Sequence, residues 1–217
     1  MTQHLWNDLE RLEKRLLFLG SRVEDAVRCA MTSLLELRAD LTVKVIEGDA
    51  AIDQEEVEIE EDCLKILALH QPVAADLRFT AACLEINNDL ERIGDLAVNI
   101  AKRAAALRRA APFPPPAGLR AMMETTLEMV RESLGAFVRG DAALARHVLE
   151  EDDVVDRANR DIIAALAAQM EREPQVVDAA LRMLSVSKHV ERIADHATNI
   201  AEDVVYMVDG EIIRHAE

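Results

Sequence analysis

Pairs of acidic residues four positions apart recur along the chain: Asp49/Asp53 and Glu91/Asp95 in the first half, Asp152/Asp156 and Glu191/Asp195 in the second. Four residues turn an α-helix by about 400°, so each pair shares one face, roughly one turn apart. Like charges at that spacing cost about 0.2–0.5 kcal/mol in an isolated helix. Something must offset the repulsion: screening by water, neighbouring arginines such as Arg92 and Arg192, or a cation. Carboxylates drawn from two adjacent helices suit hard ions such as magnesium, calcium or manganese, and iron or zinc can also use them. Asn99 and Asn199 follow Asp95 and Asp195 by four residues, which extends the same face and predicts a role in orienting the carboxylates. Any single acidic pair is better explained as a solvated face. Recurrence at matching places in the two halves favours a binding role.

Catalysis is not expected. Paired carboxylates work as general acid and base only in a cleft that separates their pKa values. The sequence also lacks G-x-x-x-x-G-K-[ST], G-x-G-x-x-G and H-E-x-x-H motifs. A ferritin-like di-iron site would need Glu-x-x-His, and none of His4, His70, His147, His189, His196 or His215 has Glu three positions before it. His189 and His196 flank the last acidic pair and read as surface residues. Trp6, Phe18, Phe79, Phe137 and Tyr206 read as packing anchors, and Met122, Met123 and Met129 as core. No clustered arginine cradle for phosphate is visible in the sequence.

Helices must position these acids. Of 217 residues, 50% are hydrophobic but only six are aromatic, and 7 Gly with 6 Pro leave too few turns for an all-β fold. With 25 basic against 41 acidic residues the net charge is −16, which excludes a basic nucleic-acid footprint and disfavours direct attraction to anionic lipid. Cys29, Cys63 and Cys83 form no C-x-x-C pair and read as small core residues in a reducing compartment. No apolar run approaches the roughly 18 residues of a membrane span, and the first residues lack a signal-peptide core. A cytoplasmic location is expected.

The strongest boundary is Pro112–Pro116 (PFPPP), which cannot continue a helix. The halves on either side match. Glu91–Ala101 (ERIGDLAVNIA) and Glu191–Ala201 (ERIADHATNIA) are identical at eight of eleven positions. Leu41–Asp53 (LTVKVIEGDAAID) echoes Leu144–Asp156 (LARHVLEEDDVVD). The chain is a duplicated unit. In the first half Leu5, Leu9, Leu12, Leu16, Leu19 and Val23 form the stripe of an amphipathic helix over about Thr2–Leu37, with Gly20 inside it. Asp40 is the expected N-cap of a second helix ending near Leu69, and Gln71-Pro72 the restart of a third that runs to Arg109. The second half predicts helices over Gly118–Arg139, Asp141–Glu171 and Pro174–Val208, the last stopped by Gly210. The expected fold is all-α: two tandem, similar three-helix bundles, with units 1–111 and 118–217 and a proline-rich linker at 112–117.

The segments GDAAID, LALHQPVAADLR (Leu67–Arg78), DLERIGDLAVNIA and HVERIADHATNIAE resemble the PhoU family over essentially the whole chain. The resemblance implies a negative regulator of the phosphate-starvation (Pho) response and of phosphate uptake. It implies partners too: the phosphate ABC transporter, through its ATPase subunit, and a sensor histidine kinase, with the membrane approached only through them. In some members E/D-x-x-x-D motifs bind multinuclear iron or zinc clusters. Carried over, these are Asp49, Asp53, Glu91, Asp95, Asp152, Asp156, Glu191 and Asp195. The second half departs from the pattern, with EPQVVDAALR in place of QPVAADLR. A metal-buffering protein and a purely structural scaffold are the alternatives, and the apolar stripe of the first helix leaves homodimerisation open.

Overall fold

The computed structural model describes residues 3–109 and 113–213. Among the described residues there are six α-helices: α1 Gln3–Leu35, α2 Ala39–His70, α3 Ala74–Arg109, α4 Leu119–Arg139, α5 Ala142–Arg172 and α6 Val177–Asp209. A 3₁₀ turn, Pro174–Val176, precedes α6. Helices α1–α3 pack on one another, as do α4–α6, giving the two three-helix bundles that the repeat predicts. Among the described residues no helix is long and apolar enough to cross a membrane.

Local signals set most helix ends. Asp141 caps α5 by accepting a hydrogen bond from the Leu144 amide at 3.0 Å. Gly210 takes the left-handed conformation (φ 73°) that stops α6, and Gly140 does the same for α4. Asp40 is not the N-cap of α2. Arg38 occupies that position, and its guanidinium binds the Asp40 carboxylate with bonds of 2.8 and 2.6 Å. The carboxylate is thereby held down at about 2, and it lies in the first turn, where a negative charge favours the helix dipole. Helix α3 begins at Ala74 rather than at Pro72, because Gln71 (φ 46°) and Ala74 (φ 51°) both sit in the left-handed region. Thr2, Pro112, His215 and the boundary at 111 lie outside the described residues.

The stripe Leu5, Leu9, Leu12, Leu16, Leu19 and Val23 is buried throughout, as are Met122, Met123 and Met129 and all three cysteines, which are free thiols. Two of the expected aromatic anchors are not anchors. Trp6 is 50% and Phe18 54% exposed, since each falls one position off the stripe. The Arg22 guanidinium lies 5.5 Å from the Phe18 ring centre. Phe79 and Phe137 stack across the two bundles at 5.7 Å. One continuous apolar core includes residues of both halves.

The bundles meet mainly along α3 and α6, with a smaller contact of α1 on α4. Arg78 Nε donates to the Met207 carbonyl at 3.2 Å, Asp89 Oδ1 meets His196 Nδ1 at 2.7 Å, and Arg103 Nε donates to Ser185 Oγ at 3.2 Å. Numbers rise along α3 as they fall along α6, so the two helices are antiparallel. The midpoint of these pairs falls near Ile93 and Ile193, equivalent residues of the repeat and both fully buried. The duplicated ERI block therefore straddles a pseudo-two-fold axis.

Candidate functional site: two acidic faces

Each expected acidic quartet assembles from two adjacent helices. On the α2–α3 face burial raises the Asp49 carboxyl above its ordinary range, and the charges of Asp53 and Asp95 add to the effect. Glu91 is raised by burial and then by Asp95, with Arg92 opposing. On the α5–α6 face burial is again the largest cause at Asp152, reinforced by Asp195, Asp156, Asp153 and Glu191, and its pKa reaches about 6. Asp195 is raised by burial, Glu191 and Asp156, while His196 and Lys188 oppose. All eight predicted carboxylates thus lie in two faces, one per bundle.

Gly94 sets the approach of α2 to α3 at the first face. A Cβ there would stand 3.3 Å from Ile52 Cγ2 and 3.5 Å from its Cδ1, the methyl that valine lacks, and Ile52 lies between Asp49 and Asp53 in sequence. The matching positions of the second half are Val155 and Ala194, both fully buried. One methyl is lost from the first helix of the pair and one gained on the second, which preserves the summed volume.

The faces differ in their polar support. Asn159, buried in α5, takes a 2.8 Å hydrogen bond from Ser187 and donates to Glu191 Oε1 at 3.2 Å. Lys188 also binds Glu191, at 2.9 Å, and Arg160 binds Asp156 at 3.2 Å. In the first bundle the equivalent positions are Glu56 and Asn87, and Asn87 donates to the Glu56 carbonyl at 2.9 Å. Glu56 therefore adds a carboxylate to the first face, its pKa raised by burial and then by Glu60 and Asp53. The sequence reading missed it. Its place three residues after Asp53 on the same helix was the available signal.

The residues fit a cation. Asp49 Oδ1 is buried with no hydrogen-bond partner, and a buried, unpaired carboxylate oxygen is costly unless something positive reaches it. The donor set is all oxygen, as hard ions require. Among the described residues no three His, Cys, Asp or Glu side chains already converge as a finished metal site. A bound ion would have to draw these side chains together.

Three expectations are corrected here. Asn199 orients no carboxylate of the acidic face: its Nδ2 donates to Asp89 of the other bundle at 3.1 Å. Asn99 is exposed and orients none of them either. His189 and His196 are half-buried in the α3–α6 seam rather than at the surface, because the antiparallel packing turns that side of α6 onto α3. Burial, and then the charges of Arg103 and Arg192, lower the pKa of His189.

Two measurements test this arrangement. In a double-mutant cycle, Gly94→Ala is expected to be better tolerated with Ile52→Val than in the parent, with favourable coupling of at least about 0.5 kcal/mol. Additive effects in urea unfolding would contradict the volume exchange. The second concerns Asp152, which keeps its proton to about pH 6 when folded and releases it near 4 when unfolded. The folded state binds more protons in that window, so metal-free protein loses stability as pH rises through it. Asp152→Asn should flatten this slope and gain about 1 kcal/mol at neutral pH, after allowance for solvent screening. Equal slopes in chelator-treated samples would refute the crowding.

Comparison with known proteins fits the duplicated fold. The PhoU domain model matches the chain twice, over residues 16–104 and 119–204. The Aquifex aeolicus "Phosphate-specific transport system accessory protein PhoU homolog" is 37% identical, with 97% of this chain and 96% of that protein covered. The homolog from Pseudomonas aeruginosa is also 37% identical, covering 99% of this chain and 89% of the relative. The crystal structure of PhoU from Pseudomonas aeruginosa superposes with a TM-score of 0.91 at 38% identity, over 94% of this chain and 99% of that one. That of the phosphate transport system regulatory protein PhoU from Streptococcus pneumoniae gives 0.89 at 29% identity, over 96% and 98%. Match, length and superposition agree with the duplicated ERI block: this chain belongs to the PhoU family.

Proposed function

We propose that the protein is an accessory protein of a phosphate-specific transport system. More finely, it is a negative regulator of the phosphate-starvation response and of phosphate uptake, linking the phosphate ABC transporter, through its ATPase subunit, to a sensor histidine kinase in the cytoplasm. The observation that carries this reading is the full-length correspondence with relatives that bear the accessory-protein name. Long helices with two charged faces suit docking rather than turnover. Coupling then requires that the protein bind one state of a partner better than another, since only differential affinity shifts an equilibrium.

Asp49, Asp53, Glu91 and Asp95 on one face, and Asp152, Asp156, Glu191 and Asp195 on the other, are the proposed ligands of iron, zinc, magnesium or manganese. A bound cation would supply positive charge against the carboxylate repulsion. The chain's own contribution is to hold the two helices of each face at fixed spacing, with the carboxylates close enough for an ion to draw together. Metal buffering is the second reading, favoured by the unpartnered Asp49 oxygen.

Alkaline phosphatase activity in phosphate-replete cells is the decisive measurement. Deletion of the gene should raise it and restoration should return it to the repressed level. Low activity in both strains would defeat the regulatory role and bring metal buffering forward. For the metal, joint replacement of Glu91, Asp95, Glu191 and Asp195 by their amides should remove most of the bound metal seen by elemental analysis. Unchanged metal content would sink the assignment.

A further inference from the structure

The pseudo-two-fold axis near Ile93 and Ile193 makes the two ends of the α3–α6 seam equivalent in backbone but opposite in charge. At one end Glu85, Asp89 and Arg92 of α3 face His196, Asn199 and Glu202 of α6 around a cleft of about 440 Å³, and the Arg92 charge is taken up by Glu91 and Asp95. There Asp89 is satisfied inside the protein, accepting from both His196 and Asn199. At the other end the repeat replaces Glu85 by Ser185, Asp89 by His189, and Asp203 by Arg103. Carboxylates give way to a hydroxyl, an imidazole and a guanidinium.

At the basic end, among the described residues, no carboxylate answers the two arginines as His196 and Asn199 answer Asp89. Arg103 Nε reaches across the seam to Ser185 Oγ at 3.2 Å, and the same oxygen lies 3.2 Å from His189 Nε2. Arg192 stands three residues beyond His189, on the same side of α6. Its counterpart Arg92 is paired with Glu91 and Asp95, whereas Glu191 is taken by Lys188. Among the described residues neither Arg103 nor Arg192 has a carboxylate partner, and both are exposed. Arg103, Ser185 and His189 form a hydrogen-bonded chain across the seam, and the charges of both Arg103 and Arg192 act on His189, so two guanidinium groups from different helices flank this end where the rest of a strongly acidic chain would repel an anion. Forked donors suit a tetrahedral oxyanion, whose several oxygens can each accept.

Independently of the transport role above, we propose that the Arg103–Ser185–His189–Arg192 end of the seam binds a phosphate-type oxyanion, bridging the two bundles. The oxyanion can come from free phosphate or from a lipid headgroup, and the test separates these sources. Full-length protein in chelator-containing buffer of fixed ionic strength is titrated calorimetrically with inorganic phosphate. In parallel it is sedimented with equimolar phosphatidylcholine–phosphatidylglycerol vesicles, with pure phosphatidylcholine as the blank. The variants are R103Q/R192Q and, as a distant control, R172Q; all three arginines are exposed, and circular dichroism verifies the fold. Saturable phosphate binding that weakens at least about tenfold in the double variant and is unchanged in R172Q identifies free phosphate. Vesicle binding with that same dependence, and no response to phosphate, identifies the headgroup. Absence of binding to both probes, or binding that R103Q/R192Q leaves intact, overturns the site.

Discussion

The antiparallel packing of α3 on α6 is the interaction on which the rest depends. Each of these helices touches three others, its two bundle neighbours and its counterpart across the seam. A helix enclosed on that many sides must present small or aliphatic residues nearly all round. Ala82, Ile86, Leu90, Ala97 and Ala101 of α3 are buried, as are Ala180, Val190, Ala194, Ala197 and Ala201 of α6. Alanine lets the axes approach closely without loss of helix propensity, and the isoleucines near the axis fill what remains. Because the pseudo-dyad runs through this contact, whatever the seam imposes on one bundle it imposes on the other.

Polar residues on α3 and α6 are restricted accordingly. Inside the seam they must find a partner across it, as Asp89 does with His196 and Asn199. Outside it they face the second helix of their own bundle, and there the acidic pairs accumulate. The close approach at Gly94 and Ile52 leaves those carboxylates partly withdrawn from water and near one another, which raises their pKa values. The two faces have since diverged in how the strain is relieved. The second uses Asn159, Lys188 and Arg160. The first keeps Glu56 and leaves an oxygen of Asp49 without a partner.

A body of this kind suits the proposed docking role. Its stability resides in a core shared by the two bundles, while its charge is displayed in discrete patches on the helix surfaces. Ligands or partners at those patches can change the electrostatics of the surface without disturbing the packing beneath. Helix spacing, set by the seam and by the complementary volumes of Ile52 with Gly94 and Val155 with Ala194, keeps the patches in register.

The sequence by itself determined the helices, their duplication and the eight paired carboxylates of the acidic faces, though not Glu56. The physical reason is that a 3.6-residue period is local: it buries Leu5 through Val23 on one side and brings acids four apart onto one face, whatever the helix packs against. Caps were legible for the same reason where the side chain acts on its own turn, as Asp141 does. They were missed at Asp40, because Arg38 takes its carboxylate. Which side chains meet across helices was decided only by the tertiary structure. Nothing local to His196, Asn199, Ser185 or Arg103 indicates a partner roughly eighty to one hundred and ten positions away. That pairing follows from the antiparallel register of α3 on α6, and the register follows from the summed shapes of many small side chains rather than from any motif. The divergence of the two faces has the same origin: Glu56 and Asn159 occupy matching places, and only packing shows that one adds a charge where the other supplies a hydrogen bond.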